Sequence, residues 1–304
     1  MVKDEKHWAK SGEAGSVLGM KMLLLTYRLF GRVGFRFILY PVMTYFYLFR
    51  TEARLASKQY QKKLSAITFA QTKPESSFQH FLMFGEILLD KFLVWMGHIR
   101  KEHVVFANQA EIEAFENNRA GGVIVVSHLG NNEICSALAE HLPNIQLTLL
   151  VYTQHAEKFN SIIQTLNRDS KIDIYQVTDM TPAKAMILSE RVNAGGYVVI
   201  AGDRTPVTGE GRVSKVSFMG TSASMPQGAF ILAGLLKCPV YLLFCLKQQD
   251  KYHVYIELFS KRLNFPRKQR DQIINETVQS YAHRLEYYCQ KAPLQWFNFF
   301  PYWG

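Results

Sequence analysis

Apolar residues along this chain fall into two regimes. Up to about residue 100 they come in long stretches at helical spacing. From Val104 onward they come in short β-branched and aromatic runs separated by amphipathic segments, the alternation expected of strands and helices. Val123-Ile124-Val125-Val126 reads as a fully buried strand. Leu147 to Tyr152, Ile172 to Val177 and Tyr197 to Ala201 read as further strands. Val213 to Phe218 reads as extended, and Val240 to Leu246 and His253 to Phe259 read as strands around a turn at Gln249-Asp250. Helices are expected over Glu111 to Asn118, Ile134 to His141, Ala156 to Asn167, Gln227 to Leu236 and Arg267 to Lys291. Thr181-Pro182 starts another, with Thr as cap and Pro in the first turn, and Gly195-Gly196 ends it. Strands alternating with helices predict an α/β fold: a mixed, largely parallel sheet flanked by helices.

The amino-terminal regime differs. Val17 to Phe49 is rich in Leu, Phe, Tyr and Met, but Lys21, Arg28, Arg32 and Arg36 interrupt it. The uncharged run from Phe37 to Phe49 is shorter than the ~20 residues a spanning helix needs. Pro41 is expected to break it. One or two amphipathic helices lying in a membrane interface are the first reading, with Arg heads reaching lipid phosphates. A tilted single span and an ordinary core helix pair are the alternatives. Residues 51–71 read as a polar helix joining this segment to the body. Phe78 to Arg100 reads as a core helix. The expected division is a membrane-anchoring helical segment over 1–60 and an α/β domain over 61–304.

Charge sharpens this picture. The net charge is +10, and residues 1–60 hold ten Lys and Arg against four Asp and Glu. A basic excess beside the most apolar part of the chain suits an anionic membrane surface. No zinc finger, RNP motif or other nucleic-acid reader is visible, so nucleic acid is not an expected partner. The four cysteines, Cys135, Cys238, Cys245 and Cys289, form no CxxC pair. Buried thiols in a reducing compartment are expected, and no metal site. His80, His98 and His103 have no evident partners and are expected to be structural.

The chemistry gathers where the first buried strand ends. His128 stands at its tip, Gly130 permits a sharp turn, Asn131 or Asn132 caps the next helix, and Glu133 lies in its first turn. A base and a carboxylate are thereby placed at the carboxyl edge of a sheet, where ligands bind in open α/β folds. The expected device is a His128–Glu133 dyad. His128 takes a proton from an acceptor hydroxyl or amine attacking an acyl carbonyl, and Glu133 fixes the imidazole tautomer. Gly202-Asp203-Arg204 follows another buried strand at the same edge. There an acid and a guanidinium can orient a polar head group or stabilise developing charge. Arg168, beside Asp169, is a further candidate for substrate contact. The glycine-rich stretch Gly209 to Arg212 does not match a P-loop, and no G-x-S-x-G elbow is present.

Taken together, the chain resembles the LpxL/LpxM-type lipid A late acyltransferases, within the wider lysophospholipid acyltransferase superfamily. The resemblance rests on the basic apolar amino terminus, His128-x-x-x-x-Glu133, Gly202-Asp203-Arg204, Phe218-Met219-Gly220 and Pro226-Gln227-Gly228. Ala201 to Pro206, Lys237 to Val240 and the tail Gln295-Trp296-Phe297-Asn298-Phe299 look more like the subgroup associated with aryl polyene lipids. The resemblance implies a glycerolipid acyltransferase-like fold. It also implies transfer of a fatty acyl group from acyl carrier protein to a lipid-linked acceptor at the cytoplasmic face of the inner membrane. His128 and Glu133 match the family's catalytic pair, Asp203 matches an acid of its second block, and Arg168 matches a site arginine loosely. The thioester is already activated, so no cofactor is expected. Lipid A enzymes commonly carry Gln where Arg204 stands, and basic residues where Asn298, Phe299 and Phe300 stand. Those departures point away from a phosphorylated disaccharide acceptor. Three rivals remain: a lipid A enzyme proper acting on Kdo-lipid IV-A, a non-catalytic lipid-binding member of the fold, and a thioester hydrolase.

Overall fold

Strand β2 (Gly122–Val126) lies at the centre of the fold because nothing along it is polar. The computed structural model describes residues 17–68, 75–117, 120–139, 146–151, 173–205 and 212–303. Around β2 assemble β1 (Val104–Phe106), β3 (Leu147–Val151), β4 (Asp173–Gln176), β5 (Tyr197–Ala201), β8 (Val240–Gln248) and β9 (Lys251–Ser260). They form a seven-stranded sheet in the order β1-β9-β8-β2-β5-β3-β4. Five neighbouring strands, β8 to β4 in that order, run parallel; β9 turns back antiparallel on β8, and β1 runs with β9. β6 (Val213–Phe218) and β7 (Thr221–Pro226) form a separate hairpin. The mixed, largely parallel sheet is as expected.

Helices cover both faces: α4 (Gln109–Asn117), α5 (Asn132–Ala139), α6 (Pro182–Asn193), α7 (Gly228–Leu236) and α8 (Arg270–Lys291). Thr181 caps α6 as read, its hydroxyl accepting from Lys184 N at 3.3 Å. The main core joins Val123, Val125 and Val198 of the sheet to Phe230 of α7 and to Val278, Tyr281 and Leu285 of α8. Strand β7 was not anticipated. Its sequence, Thr-Ser-Ala-Ser-Met-Pro, has little apolar alternation, and it pairs because Met219 and Gly220 both take positive φ and reverse the chain. The helix expected over Ala156 to Asn167, Arg168 and nearly all of the Gly209 to Arg212 loop lie outside the described residues.

Three long helices precede the sheet: α1 (Val17–Phe49), α2 (Thr51–Ile67) and α3 (Ser77–Trp95). Pro41 does not break α1; it sits inside the helix, and the kink falls instead at Gly31, where φ is 64°. One face of α1, at Phe35, Leu39 and Met43, is buried against α3. Gly85 of α3 makes that approach possible, since a Cβ there would meet Leu39 Cδ1 at 2.3 Å. Arg32 and Arg36, expected to reach lipid phosphates, are both engaged by carboxylates of α3. Arg32 pairs with the fully buried Asp90 and with Glu86, and Arg36 pairs with Glu86 at 2.6 Å, all on α3. Asp90 also receives Lys247 Nζ at 2.7 Å and the Tyr252 hydroxyl, so the cluster ties α1 and α3 to β8 and β9. Among the described residues, no helix is long and apolar enough to cross a membrane.

Candidate active site

The site follows from strand register. β2 and β5 pair in parallel with Val126 opposite Ala201. Gly202 N continues the ladder to Val126 O at 2.9 Å. Two residues further along each strand stand His128 and Asp203, so the register alone sets them side by side. Asp203 Oδ1 accepts from His128 Nδ1 at 2.8 Å, and Oδ2 accepts from the His128 backbone N–H at 2.9 Å. Gly202 has to be glycine here, because a Cβ would lie 2.7 Å from Val125 Cγ1.

The carboxyl-terminal tail completes the arrangement. Trp296 forms an antiparallel bridge with Leu129, Gly130 N donates to Gln295 O, and Phe297 N donates to His128 O. That pairing aims two tail side chains at Asp203. Trp296 Nε1 donates to Oδ2 at 3.0 Å and Asn298 Nδ2 at 3.1 Å. Asn298 Oδ1 accepts from Arg204 Nε at 2.8 Å, and Arg204 Nη2 donates to Phe297 O at 3.0 Å. Asn298 therefore bridges the acid and the guanidinium, which fixes its amide orientation. Tyr302 OH donates to the Asp203 backbone oxygen at 3.0 Å.

These contacts revise the sequence-based expectations for the site. Asp203, expected to face substrate, is fully buried with both oxygens engaged. Glu133, expected to hold the imidazole, forms an ion pair with Lys91 Nζ at 3.7 Å and makes no hydrogen bond to His128. Arg204 does lie at the same sheet edge, as expected. Trp296, Asn298 and Lys91 were not singled out as site residues. Trp296 and Asn298 belong to the tail that carried the family likeness, but no spacing rule connects position 296 with position 203. His80 has partners after all: its ring contacts Ser57 and the Trp296 carbonyl. All four cysteines are free thiols as expected, and three are buried.

Electrostatics give each group a state. Burial pushes the Asp203 carboxyl up, but the His128 imidazole, the hydrogen bonds from it and the Arg204 guanidinium outweigh burial and hold it down to about 2. Asp203 is thus a carboxylate, and Nδ1 of His128 carries the proton. Burial, then Arg204 and more weakly Lys91, lower the His128 imidazole below its ordinary value despite Asp203. The ring is neutral near pH 7. Its side chain is one-third exposed, and Nε2 makes no hydrogen bond among the described residues. Burial brings Arg204 down to about 10 against the opposing pull of Asp203 and Tyr302, which leaves it a cation.

A neutral imidazole with its proton on the acid side and an open Nε2 can serve as a general base for transfer or hydrolysis at the carboxyl edge of a parallel sheet. Comparison with protein families narrows this. The family model for bacterial lipid A biosynthesis acyltransferases matches residues 75–304, and the chain belongs to that family. It is accordingly an acyltransferase of lipid biosynthesis that acylates a lipid acceptor. Comparison with curated proteins gives no match.

Proposed function

We propose that the protein transfers a fatty acyl group from an acyl carrier protein thioester to a lipid-linked acceptor at the cytoplasmic face of the inner membrane, with His128 as general base. The observation that carries this reading is the engagement of His128 Nδ1 by Asp203 with Nε2 left open. The acceptor hydroxyl or amine attacks the thioester carbonyl as Nε2 takes its proton. A new ester or amide bond forms and the C–S bond breaks. The thiolate leaves and regains the proton from the imidazolium. Asp203 fixes the tautomer and stabilises that imidazolium. Arg204, held by Asn298, supplies positive potential at the same edge. Glu133 and Lys91 line the side of the site formed by α5 and α3, where a polar acceptor group would be held. The thioester is activated already, so the transfer needs no metal or redox cofactor.

An apolar face that α1 leaves uncovered supports a membrane surface as the place for this reaction. Leu25, Leu29, Val33, Phe37 and Tyr40 are all exposed, Phe37 at 78%. They recur at helical spacing on each side of the Gly31 kink, and Val33 and Phe37 lie opposite the stripe packed on α3. Such a face suits the interface of a bilayer, with the helix lying in it.

Absence of basic side chains at Asn298, Phe299 and Phe300 favours an acceptor without the phosphates of a Kdo-lipid IV-A disaccharide, such as an aryl polyene lipid. Incubating membranes with radiolabelled acyl carrier protein tests the whole reading. Labelled lipid that forms with wild type and not with His128→Ala supports it, and the product mass assigns the acceptor. Equal labelling by both proteins, or free fatty acid alone, overturns it.

A further inference from the structure

His80, on α3, is fully buried and has both ring nitrogens engaged. Nε2 lies 3.0 Å from the Trp296 carbonyl oxygen, which only accepts, so Nε2 holds the proton. Nδ1 is then an acceptor, and Ser57 Oγ of α2 donates to it at 2.9 Å. Ser77 Oγ donates in turn to Ser57 Oγ at 2.8 Å. Every donor in this relay points the same way, from the first turn of α3 through α2 and back to the tail. The rings of Tyr60, Phe297 and Phe299 surround the imidazole. Burial takes its pKa down to about 3, so the ring is neutral and the direction of the relay is constant.

Trp296 stands at the far end and is fully buried. Its carbonyl faces His80, while its indole N–H faces Asp203 Oδ2. We propose that His80 is a positioning residue for acyl transfer, clamping the Trp296 carbonyl so that the indole N–H holds Asp203 in line with His128. A buried polar relay is costly unless fully satisfied. In the observed geometry this relay and Asp203 Oδ2 are satisfied together through Trp296. Helices α2 and α3, remote from the chemistry in sequence, thereby set the orientation of the catalytic base.

The proposal rests on His128 being the base, so its test reads His128 directly as well as turnover. The full chain, purified in detergent and labelled with 15N-histidine, is titrated by NMR. His128→Ala assigns the signal. Asp203, Arg204 and Lys91 are the charged groups that act on it, and none of them is changed. Loss of the indole donor leaves the Asp203 carboxylate a stronger acceptor toward Nδ1–H, so the His128 titration moves up. His80→Phe and Trp296→Phe are each expected to produce that upward shift. Each is also expected to cut kcat about tenfold, the worth of one buried hydrogen bond, with KM for acyl carrier protein unchanged. The two changes combined give no more than either alone. His80→Gln, whose amide nitrogen overlies Nε2, restores both readouts. If His80→Phe does not fold, His80→Asn, too short to reach the carbonyl, takes its place. An unmoved His128 titration, or losses that multiply in the double variant, overturns the clamp. A His128→Ala protein that still transfers acyl groups overturns the catalytic reading instead, and the titration then judges the clamp by itself.

Discussion

His128 and Asp203 stand 75 positions apart in sequence, yet Nδ1 of one lies 2.8 Å from Oδ1 of the other. Their partnership comes from the parallel register of β2 and β5, and it sets Asp203, not Glu133, against the imidazole. Asp203→Asn, which would present an amide to Nδ1 and favour the wrong tautomer, is expected to lower the transfer rate about ten-thousandfold, as the corresponding change does in a serine-protease triad. The His128 titration should move with it. Glu133→Gln should leave that titration in place, because Glu133 is paired with Lys91. Histidine NMR on the two variants checks this, and a shift for Glu133→Gln without one for Asp203→Asn would return the orienting role to Glu133.

The rate should fall on the acid side as His128 protonates. Burial, Arg204 and Lys91 lower its pKa, so the midpoint of the acid limb of kcat/KM is expected below the ordinary histidine value of about 6.5. Lys91→Met removes one of these cations and should move the limb to higher pH. Initial rates across pH 4 to 8 decide it, and an unshifted limb would exclude Lys91 from the field at the base.

The strands that place this site were legible because their chemistry is local. Val123 to Val126 and Tyr197 to Ala201 are uninterrupted apolar runs, and each ends just before a candidate site residue. The shared sheet edge of His128 and Asp203 followed from those runs. Their pairing did not, because strand order is a property of the whole sheet: β8 and β5 flank β2, and neither is its neighbour in sequence. A carboxylate five residues on is visible in the sequence, whereas one 75 residues on is not. The tail was hidden for a related reason. Trp296 and Asn298 act through a bridge to Leu129 that no periodicity announces. The ion pairs of Arg32 and Arg36 were not legible because Asp90 and Glu86, their partners, sit within an apolar-looking helix.

Those ion pairs separate two kinds of residue on α1. Arg32 holds the buried carboxylate of Asp90, which keeps Lys247 and Tyr252 when Arg32 is lost. Arg32→Met is expected to cost about 1–3 kcal/mol of stability and to leave membrane affinity alone. Phe37→Asp, on the exposed face, should do the reverse. Denaturant titration and co-sedimentation with anionic vesicles separate the two. Equal effects of both variants on sedimentation would mean that Arg32 meets lipid.

His80 makes stability depend on pH. Its folded pKa of about 3 lies below the ordinary value near 6.5, so the unfolded chain binds the proton first. Its contribution is fully present above pH 6.5 and is lost as the pH falls toward 3, by about 1.4 kcal/mol per pH unit. Asp203, at about 2 when folded, adds its own loss only below about pH 4. His80→Gln, which cannot titrate, should flatten the decline between pH 6 and pH 4. Melting temperatures of both proteins across that window measure it, and parallel curves would place the acid sensitivity elsewhere.

Gly130 closes the loop that carries His128, and its backbone leaves no room for a side chain. It sits at φ 75°, and a Cβ would lie 2.0 Å from the Cys245 carbonyl oxygen. The same carbonyl accepts from Asn131 N at 2.8 Å, so moving it breaks the junction between the loop that carries His128 and β8. Gly130→Ala therefore combines a left-handed conformation with a backbone clash, and about 2–4 kcal/mol of destabilisation is expected. Because Gly130 N also anchors Gln295 O, the tail should loosen with it and Trp296 should leave Asp203. Tryptophan fluorescence reports that departure, with emission moving to longer wavelength as the indole meets water. A folded Gly130→Ala protein with unchanged emission and full activity would show that the loop can adopt another path while keeping the base in place.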